Sequence, residues 1–284
     1  MAQHKIPNDG VRRRIAEMRR RRRATTFFAL GAALLLAGCQ TLDNARLLLP
    51  PDWADMRRVT ERVVVERDAG PADAERAVAV ATAARERLER VLGEVRADPM
   101  FFVCASDACF QRFGGGAPRA KAFSDRRILL GPRGDSAGFA AHEMWHAELF
   151  RRLGLVRVMS LPRWFDEGVA VWISNEPVHS EAMYQRALAS GIRMPTLGEL
   201  ESRDGFYAAI ARTGDDKRAG RTADDLSVVY PVMGHEIRRW IAVVGVDGLR
   251  ALLSALEAGD DFQTTYERLE TGTRTGSHRE SAPK

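Results

Sequence analysis

Residues 142–146 read His-Glu-Met-Trp-His. In a helix, histidines four apart lie one turn above the other on a single face, so both imidazoles can reach one Zn²⁺ at about 2.0–2.1 Å. Glu143 then leans beside the ion, where its carboxylate can take a proton from a metal-activated water instead of binding the metal. This chemistry needs the segment to be helical, and the flanking residues allow it. Asp135 or Ser136 can cap a helix that runs to Arg152 and stops before Gly154.

Two imidazoles need a third ligand. A metzincin continuation would put a glycine and a histidine at positions 149 and 152, but Leu149 and Arg152 stand there. Further on, however, with twenty residues between His146 and Glu167, the chain reads Pro162-Arg163-Trp164-Phe165-Asp166-Glu167-Gly168-Val169-Ala170. Here it resembles the gluzincin metallopeptidases, the thermolysin-like and aminopeptidase-like zincins, whose second helix carries W-x-x-E-G-x-A with the Glu as third zinc ligand. The resemblance covers about residues 62–256, and its specific motifs lie between Ile128 and Ser174. It implies a zinc peptidase with His142, His146 and Glu167 as ligands and Glu143 as base. Two neutral imidazoles and one carboxylate leave a fourth tetrahedral position for water, as a catalytic zinc requires.

The resemblance also implies that Lys121 to Leu130 form a strand bordering the cleft and pairing with substrate backbone. It implies too that a Tyr or His on a later helix steadies the oxyanion. Tyr230 is the first candidate and His235 the second; five residues apart, they stand roughly 140° around a helix, so both cannot face the metal unless Pro231 bends it. Asp166 can orient a ligand from behind, or simply be a solvated helix end. Trp145, Trp164, Trp172 and Trp240 are expected to build the core around the site.

The elements that must position these residues can be read from periodicity and punctuation. Val63 to Val65 reads as a strand. Pro71 to Arg96 reads as a helix with Ala77, Ala81, Ala84, Leu88, Val91 and Val95 at helical spacing. Met100 to Cys104 and Ala120 to Leu130 are two further strands, separated by a Gly114-Gly115-Gly116 loop. After the H-E-x-x-H helix come Arg163 to Ser174, a segment from His179 to Ser190, a Thr196-x-x-Glu199 capping box, and a loop from Gly214 to Arg221. Ala223 to Val244, kinked by Pro231, and Asp247 to Ala258 follow. The expected fold is α+β and zincin-like: a small mixed sheet with an active-site helix, then a mainly helical C-terminal half. The domain is expected over residues 61–270, with a polar, disordered tail over 271–284.

The chain has 284 residues, 45% hydrophobic and 29% charged, with 24 Gly, 12 Pro and 3 Cys, which excludes disordered, collagen-like and disulfide-scaffold classes. Its net charge is +5. Of 43 Lys+Arg and 38 Asp+Glu, nine and two fall within residues 1–38, leaving 34 and 36 in the remainder. The basicity therefore belongs to the N-terminus and gives no reason to expect a nucleic-acid partner.

Arg19 to Arg23 precede an uncharged run of twelve residues, Phe27 to Gly38, too short to span a bilayer and suited to a signal peptide. Leu36-Ala37-Gly38-Cys39 then resembles the bacterial lipobox. That implies cleavage after residue 38, diacylation of Cys39 and a lipidated tether over 39–60, with Met18 an alternative start. Gln40 favours the outer membrane, facing the periplasm, where a peptide or protein of the envelope would be the substrate. In such a compartment disulfides persist, and Cys104 and Cys109 are expected to form one; the alternative is two unpaired thiols. An alternative function is a catalytically inactive zincin-fold lipoprotein serving as an envelope binding or assembly factor. Zinc binding alone would not need Glu143.

Overall fold

A computed structural model describes residue 47 and residues 51–280, Thr222 excepted. The expected signal peptide, the expected lipidation site Cys39, most of the expected tether and residues 281–284 lie outside the described residues. From Pro51 onward the chain forms one compact α+β unit, mostly helical, with a small five-stranded mixed sheet.

The sheet is assembled from β1 (Met56–Arg58), β2 (Val63–Glu66), β3 (Met100–Val103), β4 (Ala120–Phe123) and β5 (Arg127–Leu130) in the order β1-β2-β3-β5-β4. The three central strands are parallel and nearly all apolar, as strands covered on both faces require. Both edges are antiparallel additions. β1 lies inside the stretch expected to be an unstructured tether, so the folded unit starts about ten residues earlier than the pattern implied. Its three residues, with Met56 buried and Arg57 and Arg58 exposed, are too few to show a period. The single strand expected from Ala120 to Leu130 is a hairpin. Ser124 takes φ 59° and turns β4 back on β5, with Phe123 opposite Arg127.

Helix α1 (Pro71–Leu92) crosses between β2 and β3 and buries Ala77, Ala81, Ala84 and Leu88. It ends four residues short of Arg96 because Gly93 adopts φ 79°. A short helix missed from the sequence, α2 (Asp107–Arg112), follows β3, and a disulfide joins Cys104, the residue after β3, to Cys109 within α2, Cα to Cα 5.4 Å. Helix α3 (Ala137–Ser160) is capped by Ser136, whose Oγ accepts the Phe139 N–H at 3.1 Å, and breaks at Gly154, φ 74°. Helix α4 (Arg163–Ser174) packs on it.

The remaining helices are α5 (Glu181–Ala189), α6 (Arg203–Arg218), α7 (Val229–Ala258) and α8 (Phe262–Glu280). The Thr196–Glu199 pair opens no helix. Thr196 N–H donates to Glu199 Oε2 (2.9 Å) and Glu199 N–H to Thr196 Oγ1 (3.2 Å), closing a turn, and α6 begins only after its own cap, Ser202. α6 then runs through part of the expected loop. Pro231 does not kink α7, because it sits in the first turn, where its missing N–H would have had no helical acceptor. The break falls at Gly245, φ 70°, and joins the two helices expected there. α8 carries the fold past Thr271, where a disordered tail was expected to begin.

Candidate metal centre

The first turns of α3 are buried on nearly every side: Ala140, Ala141, Met144, Trp145 and Ala147 are all inaccessible. The H-E-x-x-H segment is therefore held inside the molecule. Trp145 Nε1–H donates to the Asp166 carbonyl at 3.0 Å, locking α3 to α4 at the level of the expected third ligand. On its other side α4 meets α7 at two glycines. A Cβ on Gly168 would lie 2.7 Å from the Met233 carbonyl oxygen, and one on Gly234 would lie 2.4 Å from Val171 Cγ1. The small residue after Glu167 is thus the condition for α7 to approach closely enough to bring Tyr230 to the site.

His142, His146 and Glu167 converge, with one ligand atom from each lying within 4.8 Å of the others. Glu167 Oε2 is 3.1 Å from His142 Nε2 and 3.7 Å from His146 Nε2. Two donors about 2.05 Å from a tetrahedral ion stand about 3.3 Å apart, so these separations fit a shared ion. His146 donates its Nδ1–H to Asp166 Oδ1 at 2.7 Å, which fixes the tautomer and leaves Nε2 for the cluster. Asp166 is thus placed behind a ligand and is no solvated helix end. This buried group can hold a metal ion.

Electrostatics explain how so many charges share one interior. Burial opposes ionisation of Glu167, yet the Arg163 guanidinium and the two imidazoles hold its carboxyl well below the usual range. Burial likewise opposes a charged His146, but the Asp166 and Glu167 carboxylates prevail and raise it well above the ordinary imidazole value. Glu143 stays outside the ligand cluster. It accepts a hydrogen bond from the Ala122 N–H of β4, and burial pushes its carboxyl up despite the neighbouring histidines.

Tyr230 and His235 part company. The Tyr230 ring meets His142 edge-on at 6.2 Å and stacks on His179 at 4.7 Å. Burial, with the Glu167 and Glu143 carboxylates nearby, keeps its phenol protonated and therefore a donor. His235 does not belong to the site. Its ring stacks on Tyr184 at 3.9 Å, and its Nδ1 lies 3.0 Å from Glu181, so it fastens α7 to α5. Of the tryptophans, Trp145 and Trp240 are fully buried, Trp164 nearly so, and Trp172 only partly.

No protein-family model matches the chain, and no curated protein matches it.

Three contributors to the site were not singled out from the sequence. Arg163 pairs with both Asp166 and Glu167, and its spacing, three and four residues before two acids on a helix, was the signal available. His179, in a 3-10 turn (Pro177–His179), lies beside the cluster, and burial followed by the His142 charge pushes its imidazole down to about 3, so it is neutral. No pattern announces it. The third is the Ala122 backbone, visible only once the hairpin is known. Gly131 N–H bonds to the Arg119 carbonyl, so Lys121 and Phe123 direct their backbone groups to β5 while Ala120 and Ala122 turn theirs toward the open edge.

Proposed function

We propose that this chain is a zinc-dependent peptidase of gluzincin type with a zincin-like fold, tethered through acylated Cys39 to a bacterial outer membrane and acting on a peptide or protein in the periplasm. The observation that carries the reading is Glu143, a buried carboxylate beside the three-ligand group yet outside it, with its proton affinity raised by burial. A metal-storage or structural site has no use for such a group.

Two imidazoles and a single carboxylate at tetrahedral spacing suit zinc. When bound, zinc supplies Lewis acidity toward water and toward a substrate carbonyl. Glu143 takes the proton of the attacking water and returns it to the leaving amine. The Tyr230 hydroxyl donates to the oxygen that gains charge. Asp166 keeps His146 in the tautomer that presents Nε2. The outward carbonyl of Ala122 and backbone groups of Ala120 can receive an extended peptide as an added strand, which aligns the scissile bond with Glu143.

The deciding experiment measures zinc content and casein or peptide hydrolysis by residues 40–284, wild type against Glu143→Gln. About one zinc per chain in both, with hydrolysis in the wild type alone, is the expected result. Tight zinc binding with no hydrolysis across a broad peptide library would instead favour an envelope binding lipoprotein. The anchor is tested separately: Cys39→Ser should abolish incorporation of labelled palmitate, and unchanged labelling would exclude acylation there. Among the described residues no helix is long and apolar enough to cross a membrane.

A further inference from the structure

Arg163 occupies the first turn of α4, three residues before Asp166 and four before Glu167, so one guanidinium faces both carboxylates. One of its terminal nitrogens bonds Asp166 Oδ2 at 2.9 Å and the other pairs with Glu167 Oε1. The opposite oxygens face inward: Asp166 Oδ1 to His146 Nδ1 at 2.7 Å, and Glu167 Oε2 to both imidazole Nε2 atoms. The fork is itself held in place, with its central carbon 5.4 Å from the Phe206 ring centroid.

We infer that Arg163 is a positioning residue that makes Glu167 a one-oxygen ligand. The inference rests on the reading of this site as a metal centre. By engaging Oε1 it leaves Oε2 alone to the ion. A carboxylate released from that grip is free to offer both oxygens and so to fill the place that water needs. The same fork holds Asp166, so the aim of His146 and the mode of Glu167 are set by one side chain. Lysine has the charge but not the planar fork, and it can serve only one of the two carboxylates well.

The test uses the full chain in detergent, loaded with Co²⁺, whose visible absorption is stronger in four-coordinate than in five-coordinate sites. Wild type, Arg163→Lys and Arg163→Met are compared by spectrum, by cobalt affinity against a chromophoric chelator, and by thermal melting without metal. Both variants should show weakened visible bands and affinity lower by about tenfold or more, with Lys nearer to wild type. If Arg163→Met fails to fold, Arg163→Lys decides alone. Variants that melt earlier but keep the wild-type spectrum and affinity assign Arg163 a purely structural role and overturn the inference. A wild type that takes up neither Co²⁺ nor Zn²⁺ overturns the metal reading itself, and this inference with it.

Discussion

Two buried glutamates stand five residues apart on α3, and their surroundings are opposite. Glu148 is fully inaccessible and fully engaged: it accepts from the Arg96 N–H, from the Ala97 N–H at 2.6 Å and from Arg152 Nε at 2.6 Å. Arg152 continues to Glu257 at 2.8 Å, so this end of α3 is riveted to the loop after α1 and to the end of α7. Glu143 at the other end has the Ala122 N–H and a set of neighbours that pull its proton affinity in both directions. Burial alone therefore does not distinguish a strut from a base. The number and kind of donors does: those on Glu148 come from three residues and hold it in one place.

The contrast can be broken from either side. The largest effect belongs to the ligands: His142→Ala, His146→Ala and Glu167→Ala should each strip most of the metal and all hydrolysis, read by elemental analysis and by assay. Next comes the strut. Glu148→Gln leaves Arg152 and two N–H groups poorly matched in the interior and should cost about 3–5 kcal/mol of stability, measured by denaturant unfolding, while the surviving folded fraction keeps its turnover. Glu143→Gln should do the reverse, lowering turnover by about 10² or more with metal content and melting preserved. If Glu143→Gln sheds the metal or Glu148→Gln abolishes catalysis in folded protein, the division of labour is wrong.

Smaller effects sharpen it. Gly168→Ala pushes a methyl against the Met233 carbonyl and should cost about 1–3 kcal/mol, with turnover falling more than metal affinity because α7 carries Tyr230. The proton on His146 gives the last. Its imidazole is raised well above the ordinary value without metal, so an ion must displace that proton. Metal affinity should therefore rise with pH, by about tenfold per unit on the acid side of the His146 titration, and level off above it. Chelator competition across pH reads this directly, and a flat profile would falsify it.

Much of the site was legible because it is local. The H-E-x-x-H spacing, the cap at Ser136 and the helical segment around Glu167 each depend on residues within one or two turns. What could not be read depends on how elements meet. Tyr230 and Gly234 are four apart and share the face of α7 that meets α4, whereas His235 is rotated by about 100° from Gly234 and lands on α5. Nothing in their residue types says which face is inward. The hairpin was missed because the reversal at Ser124-Asp125-Arg126 has no glycine or proline to mark it, although Ser and Asp are turn residues. β1 was missed because its partner, β2, supplies most of the reason for its existence.

The two edges of the sheet differ in what they offer an approaching strand. β1 presents exposed Arg57 and Arg58, a guard against a further strand adding there. β4 reads Ala-Lys-Ala-Phe, and its lysine is turned aside to the Gly114 carbonyl. Apart from the Ala122 N–H that Glu143 takes, the outward backbone groups of this edge have no strand partner, and what could receive a substrate strand could receive any extended chain. Self-association and capture of unrelated extended strands are the hazards attached to that seam.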